Sequence, residues 1–194
     1  MLHKLRRAMV DPDRSFLGDL VEVDESELPF RSRNDPADAL RGRRSPVGKM
    51  FVAGAVELSE DGHPRRIRLA PIANLTANML GAFLAEAALP GTRVITDGWL
   101  GYERMPDHKH EPKVVGSAKA HDILRWVHRV FANLKTWALG VYHGLRKAHL
   151  PRYLDEFVFR WNRRRHTRTA FDSLLGIGTR LAPATYRDFV DQRI

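Results

Sequence analysis

"LVEVDES", residues 20–26, is the stretch from which the rest of the chain is read. Val21 and Val23 fall on one side of an extended backbone and Glu22 and Asp24 on the other, the period-two alternation of a β-strand. "KMFVAGAVEL" (49–58) reads as a second strand, "EDGHP" (60–64) as a turn and "RRIRLAPI" (65–72) as a third strand, together an antiparallel meander. Between the first two strands, "ELPFRSRNDPADALRGRRSPVG" (27–48), rich in Pro, Arg and Asp, reads as a mobile loop. Residues 1–10 read as a short basic helix.

Downstream, "TANMLGAFLAEAAL" (76–89) has helical periodicity, with Asn74 and Thr76 as candidate caps. "PGTRVITDGW" (90–99) gives a turn, a short apolar strand and Asp97 at its C-terminal end, and "KHEPKVVGS" (109–117) a weaker fifth strand. From His121 the pattern is helical, over 121–138, 147–165 and 170–175. Three strands, a helix, two strands and then helices predict an α/β fold with one reversed strand. This order matches a ribonuclease-H-like mixed five-stranded sheet flanked by helices.

Composition narrows the function classes. No run approaches the roughly 18–20 apolar residues of a membrane span, and "MLHKLRRAMV" has no apolar segment after its basic residues, so it is not a secretory signal. The absence of cysteine excludes disulfides, thiolate zinc sites and cysteine nucleophiles, and is compatible with a reducing cytoplasm. The net charge is +9, and residues 104–168 hold fifteen Lys and Arg against five Asp and Glu. Such a basic half is the electrostatic footprint of a nucleic-acid binder.

Asp24 lies on the polar face of the first strand and Asp97 at the end of the fourth; those strands are neighbours in this fold, so their carboxylates are placed to converge on a hard divalent cation. Mg²⁺ suits such a site because it takes few protein carboxylates and fills its shell with water and phosphate oxygens. Two ions would activate an attacking hydroxyl and stabilise a leaving oxygen in phosphodiester chemistry. The plainer alternative is that Asp24 ends a strand and Asp97 caps the "GWLGY" turn.

The blocks "VEVDES", "GRRSPVGKMFVAGAVE", "RRIRLAPI", "TRVITDGWLGYERM", "HRVFANLKTWALGVYHG" and "HLPRYLDEFVFRWNRRR" run in unbroken order over roughly residues 20–165. Together they resemble bacterial insertion-sequence transposases of the ISXO-like DDE group. The resemblance implies a ribonuclease-H-like catalytic domain that cleaves and joins DNA ends with two Mg²⁺ or Mn²⁺ ions. Asp24 and Asp97 would be its first two acidic ligands. It also implies DNA partners (element ends and target duplex), a homodimer in the working complex, and a bacterial cytoplasmic, nucleoid-associated setting.

The family's third acidic residue lies on a helix seven positions before a Lys or Arg. Counting back from Lys135 reaches His128 in "WVHRVFANLK" (126–135), where a glutamate is expected. Seven residues is close to two helical turns, so positions 128 and 135 share a face. His128 is then the candidate third catalytic residue and metal ligand, and Lys135 the candidate phosphate contact. Neutral imidazole binds Mg²⁺ poorly. Asn133 is the alternative, a hard neutral ligand but about 500° around the helix from His128; Asp122, six residues before His128, is a poor geometric substitute. Trp126, Val127, Val130, Phe131 and Leu134 recur at helical spacing and read as core, so the polar residues between them also fit an ordinary solvated face. Arg163, Arg164 and Arg165 in "RWNRRRHTR" are candidate DNA-backbone contacts, or else a charged helix end favoured by the macrodipole. Trp99 reads as packing on the sheet rather than stacking on a base.

Proteins of this group carry an N-terminal cysteine zinc ribbon and a helical DNA-binding segment. Here residues 1–19 are expected to be the residual helix of a truncated region of that kind, 20–180 the catalytic domain and 181–194 a tail. A catalytically inactive DNA-binding remnant is the alternative reading of the histidine at position 128. A histidine-rich metallohydrolase, resting on nine histidines with His108 and His110 closest to a ligand pair, has no recognisable motif behind it.

Overall fold

The computed structural model describes residues 2–30, 48–102, 107–113, 123–142, 145–183 and 185. A short helix α1 (Leu2–Arg7) precedes three strands, β1 (Leu20–Pro29), β2 (Lys49–Leu58) and β3 (Pro64–Ile72). Helix α2 (Ala77–Ala87), β4 (Arg93–Thr96) and β5 (Lys109–Pro112) follow. The chain then becomes helical: α3 (Arg125–Tyr142), α4 (Leu150–Asn162) and α5 (Ala170–Gly178).

The strands form one sheet of order β3-β2-β1-β4-β5. β1 and β3 both run antiparallel to β2, while β4 is parallel to β1 and β5 to β4. This is the ribonuclease-H-like arrangement, a mixed five-stranded sheet flanked by helices, as the order of elements predicts. The β2–β3 turn is closed by Ser59 and His63 and uses a positive φ of 72° at Gly62, a conformation glycine adopts without steric cost.

Both faces of the sheet are covered, so β2 is apolar on both sides rather than alternating. On one face Val21, Val23, Ala53, Ala55 and Val94 pack with Leu80, Phe83 and Leu84 of α2. On the other, Val52, Val56, Ile67 and Ile95 pack with α3 and α4. At about 25 cal/mol per Å² of apolar surface removed from water, burial on both sides is what orders the central strands. The acidic side of β1 therefore lies under α3 rather than in solvent, and Glu22 is buried.

Several expected boundaries move. β1 runs through Glu27, Leu28 and Pro29, which read as loop, because Leu28 is a core residue paired with Met50. The remainder of that loop, 31–47, lies outside the described residues, as do Asp122 and positions 114–117 of the expected fifth strand. Thr76 is the N-cap of α2 but caps no amide; Asn74 Oδ1 instead accepts from the Thr76 hydroxyl and amide at 2.7 and 3.2 Å. Trp126 is only partly buried: its indole N–H donates to the Gly62 carbonyl at 2.8 Å, and Arg125 and Arg129 lie over its ring.

Residues before β1 are built into the fold. Leu17 is fully buried. Arg6 of α1 is nearly so, and it donates to Glu156 of α4 at 2.8 Å and to the Tyr142 hydroxyl at 2.9 Å.

A candidate metal and DNA site where β1 passes the end of β4

The parallel pairing of β1 with β4 sets Glu22 opposite Ile95. Continuing that register by two residues brings Asp24 level with Asp97, which follows directly on Thr96. Asp97 begins a tight turn: its Oδ1 accepts the Trp99 amide at 3.0 Å, and Gly98 takes a φ of 81°. The turn capping expected of Asp97 and its convergence with Asp24 therefore coexist. Thr96, fully buried, has its hydroxyl 2.8 Å from Nε2 of His110 on β5, which ties the end of β4 to its neighbour.

A second link holds this turn to β1. Glu25 points to the α2 face, opposite to Asp24, and accepts a hydrogen bond from the hydroxyl of fully buried Tyr102. Burial, then the Glu25 carboxylate, push the Tyr102 hydroxyl far above its ordinary range, so it remains a donor. Burial also raises Glu25, with Asp97 adding to the effect and the Tyr102 bond opposing it. Trp99 lies edge-on to Tyr102, ring centroids 6.2 Å apart, and over Gly101, where any Cβ would collide with the indole. It packs on its own turn and remains 40% exposed.

Helix α3 closes the other side. Burial dominates the environment of Asp24 and, with the charges of Glu25 and Asp97, raises its carboxyl to about 7; the Lys135 cation opposes this. Lys135 is thus electrostatically coupled to Asp24, and His128 Nδ1 stands 3.5 Å from Asp24 Oδ2. The shared face of positions 128 and 135 does point to the carboxylate. Asn133 is exposed on α3. The close approach has a local cause: Gly54 is the cross-strand partner of Asp24, and a Cβ there would stand 2.7 Å from the Phe131 ring of α3.

Glu22 fixes the start of α3, a role with no signal in the sequence. Its Oε2 accepts the amides of Trp126 and Val127 at 2.8 and 2.9 Å. These are first-turn amides without intrahelical partners, and the carboxylate also faces the positive end of the helix dipole. The Glu25–Tyr102 bond left a faint trace: by alternation Glu25 shares the face of Val21 and Val23, an unusual place for a carboxylate without a donor.

The donor chemistry suits a hard cation in part. Asp24 and Asp97 offer carboxylate oxygens whose mutual repulsion a cation would relieve. Among the described residues, however, no group of three or more His, Cys, Asp or Glu side chains is placed to hold a metal ion. His128 therefore pairs with Asp24 without completing a closed ligand set. His108 and His110 form no such group either.

The basic run divides. Arg164 donates to the carbonyls of Arg65 and Trp161 at 3.0 Å and to that of Pro64, covering the free edge of β3. Asn162 does the same beside it, accepting the Ile67 amide at 2.8 Å and donating to its carbonyl at 3.3 Å. Arg163 lies over Phe159, 4.0 Å from the ring centroid, and Arg165 is exposed.

No curated protein sequence matches this chain. Among solved structures, similarity extends to a pre-cleavage Mos1 transpososome (14% identity, TM-score 0.46, 94% of this chain and 65% of that one). It extends also to a Mos1 transposase paired-end complex with left transposon end (12% identity, TM-score 0.35, 91% and 62%). The chain spans less than two thirds of the length of either. The family model of the ISXO2-like transposase domain matches residues 16–162, from the buried Leu17 through β1, β4 and α3 to the last residue of α4. With most of its length inside that match, the chain belongs to the ISXO2-like transposase domain family.

Proposed function

We propose that this chain is the catalytic core of a DDE-type DNA transposase that cleaves and joins insertion-sequence ends with the help of divalent cations. The observation that carries the reading is the level placement of Asp24, midway along β1, and Asp97, just past the end of its parallel neighbour β4, beneath a helix that brings Lys135 and His128 to the same point. Mg²⁺ or Mn²⁺ ions held there would polarise phosphodiester oxygens and lower the pKa of a coordinated hydroxyl or water. Asp24 and Asp97 supply the hard oxygens. The Glu25–Tyr102 bond and the Asp97 turn keep the two carboxylates level. Lys135 offers a cation to a backbone phosphate, and His128, 3.5 Å from Asp24, is the candidate third ligand. Duplex DNA, two chains working together on paired ends, and the bacterial cytoplasm belong to the same reading, as does a catalytic domain over 20–180.

Strand transfer of short element ends in Mg²⁺ or Mn²⁺ tests this reading. Activity is expected from the wild-type chain and not from Asp97→Asn; activity that survives Asp97→Asn sinks the mechanism.

The Asp24–His128 contact favours a second reading, an inactive DNA-binding remnant, because an imidazole stands where the family carries a carboxylate and engages one of the two acids. In that case wild-type protein binds DNA without cleaving it in either metal, and His128→Glu restores cleavage.

A further inference from the structure

A cleft of about 530 Å³ lies at the free edge of β3, between the segment 9–15, α4 and the start of α5. β3 is the outermost strand, two strands from β1, and the cleft wraps its free edge, taking Arg66 and Arg68 from one face and Leu69 from the other. Asp24, Asp97, His128 and Lys135 are not among its lining residues, so the cleft is separate from the carboxylate site.

Its charge is unbalanced. Arg14, Arg66, Arg68, Arg163 and His166 line it, along with Asp11, Asp13 and Asp155. The three carboxylates are each engaged by an arginine outside the lining: Arg180 holds Asp11 and Asp13 at 3.0 and 2.8 Å, and Arg152 holds Asp155 at 3.2 Å. Arg66 is matched by Glu57. Arg14, Arg68 and Arg163 have no carboxylate in contact among the described residues. Arg68 is only 8% exposed, and its guanidinium donates to the main-chain carbonyls of Ser15 and Ile67 at 2.7 and 3.2 Å. Burial, and then Arg14 and Arg66, lower its pKa to about 10, with the more distant charge of Glu57 opposing them. The Ser173 hydroxyl completes a polar wall with Thr169, whose hydroxyl donates to the His166 carbonyl at 3.2 Å, and Asn162, whose amide is held by Ile67. Planar guanidiniums with hydroxyl and amide neighbours match phosphate oxygens, and the volume is in the range of small-molecule sites rather than of a single ion.

We infer that this cleft is a second anion site, which takes a phosphate group of nucleotide size. The phosphate comes either from a DNA backbone or from a free nucleotide. The site stands whether or not Asp24 and Asp97 hold metal, and its test uses no strand-transfer readout, so either reading can fail alone.

Inorganic pyrophosphate and a short duplex are titrated calorimetrically against the wild-type chain, Arg14→Glu/Arg163→Glu, and a control of equal net charge, Arg146→Glu/Lys147→Glu, on an exposed turn far along the sequence. Wild type and control are expected to bind pyrophosphate alike, and the cleft variant at least about tenfold more weakly. Arg14→Glu alone, at an exposed position, takes its place if the double variant does not fold. A salt dependence of duplex binding less steep by about two phosphates in the cleft variant than in the control assigns the phosphate to DNA. An unchanged salt dependence with lost pyrophosphate binding assigns it to a free nucleotide. Equal pyrophosphate binding by the cleft variant and wild type, or none by wild type, overturns the site.

Discussion

Glu22 and Asp24 lie two residues apart on the same face of β1, under the same helix, yet the fold treats them in opposite ways. Glu22 meets the start of α3, where two backbone amides need an acceptor, and it is consumed by that need. Asp24 meets the middle of α3, where the backbone amides are already used, so it faces side chains: His128, the charge of Lys135 and the repulsion of Asp97 and Glu25. A helix laid along a strand therefore separates a structural acid from a reactive one by a single step of the pleat. Burial raises the pKa of both; only Glu22 receives two amide donors in return.

If this contrast is right, charge matters at the Asp24–Asp97 end and hydrogen-bond acceptance at the Glu22 end. The largest expected effect is on catalysis. Asp97→Asn preserves shape and removes charge, and should lower strand transfer by at least about a thousandfold, since ligands of one site act as a unit; a single-turnover assay reads it.

Next is Glu22→Ala, which leaves two buried amides without an acceptor and should cost about 2–4 kcal/mol in denaturant unfolding. Glu22→Gln keeps an acceptor oxygen and should cost less than about 1 kcal/mol. Equal losses in the two variants would mean that the Glu22 charge matters after all.

Asp24→Asn should stabilise the metal-free protein. The Asp24 carboxyl titrates at about 7 when folded and near 4 when unfolded, at roughly 3.9. Between those values the folded chain binds more protons, so stability declines as pH rises from about 4 to about 7, and the full cost persists above. Asp24→Asn removes that cost: its thermal midpoint should exceed wild type at pH 8 by the equivalent of roughly 1–3 kcal/mol and converge with it near pH 4. Mg²⁺ should raise the wild-type midpoint at pH 8 and leave that of Asp24→Asn unchanged, because only the ionised pair repays the ion.

The smallest effect tests the approach of α3 itself. Gly54→Ala forces the Phe131 ring away from the strand opposite Asp24 and should cost about 1–2 kcal/mol, with a weaker coupling of His128 to Asp24 visible in the histidine's NMR titration.

The strand order was legible because alternation at Val21 and Val23, the turn at Gly62 and the apolar run before Asp97 are local signals, each set by the residues that carry it. The periodicity of Val127, Val130, Phe131 and Leu134 likewise fixed which side of α3 is buried. Where local signals compete, tertiary contacts decided. Leu28 carried β1 into an expected loop because it pairs with Met50 and joins the core. Arg164 stands at the edge of β3 and donates to carbonyls nearly a hundred residues away in sequence, partners that its own helix does not signal.

The candidate site divides along the same line. Spacing placed Asp24 on the polar face of a strand, Asp97 at a strand end, and His128 and Lys135 on one helix face, all within single elements. The partners of Glu22, the Glu25–Tyr102 bond and the arginine-lined cleft join residues 53 to 105 positions apart, and no periodicity names both partners. The sequence by itself determined which residues alternate, which recur every turn and where carboxylates end strands, because those follow from the geometry of one backbone segment. Only the tertiary structure decided which buried charge would find a donor, because that depends on which segment is brought opposite, and desolvation penalises every charge that finds none.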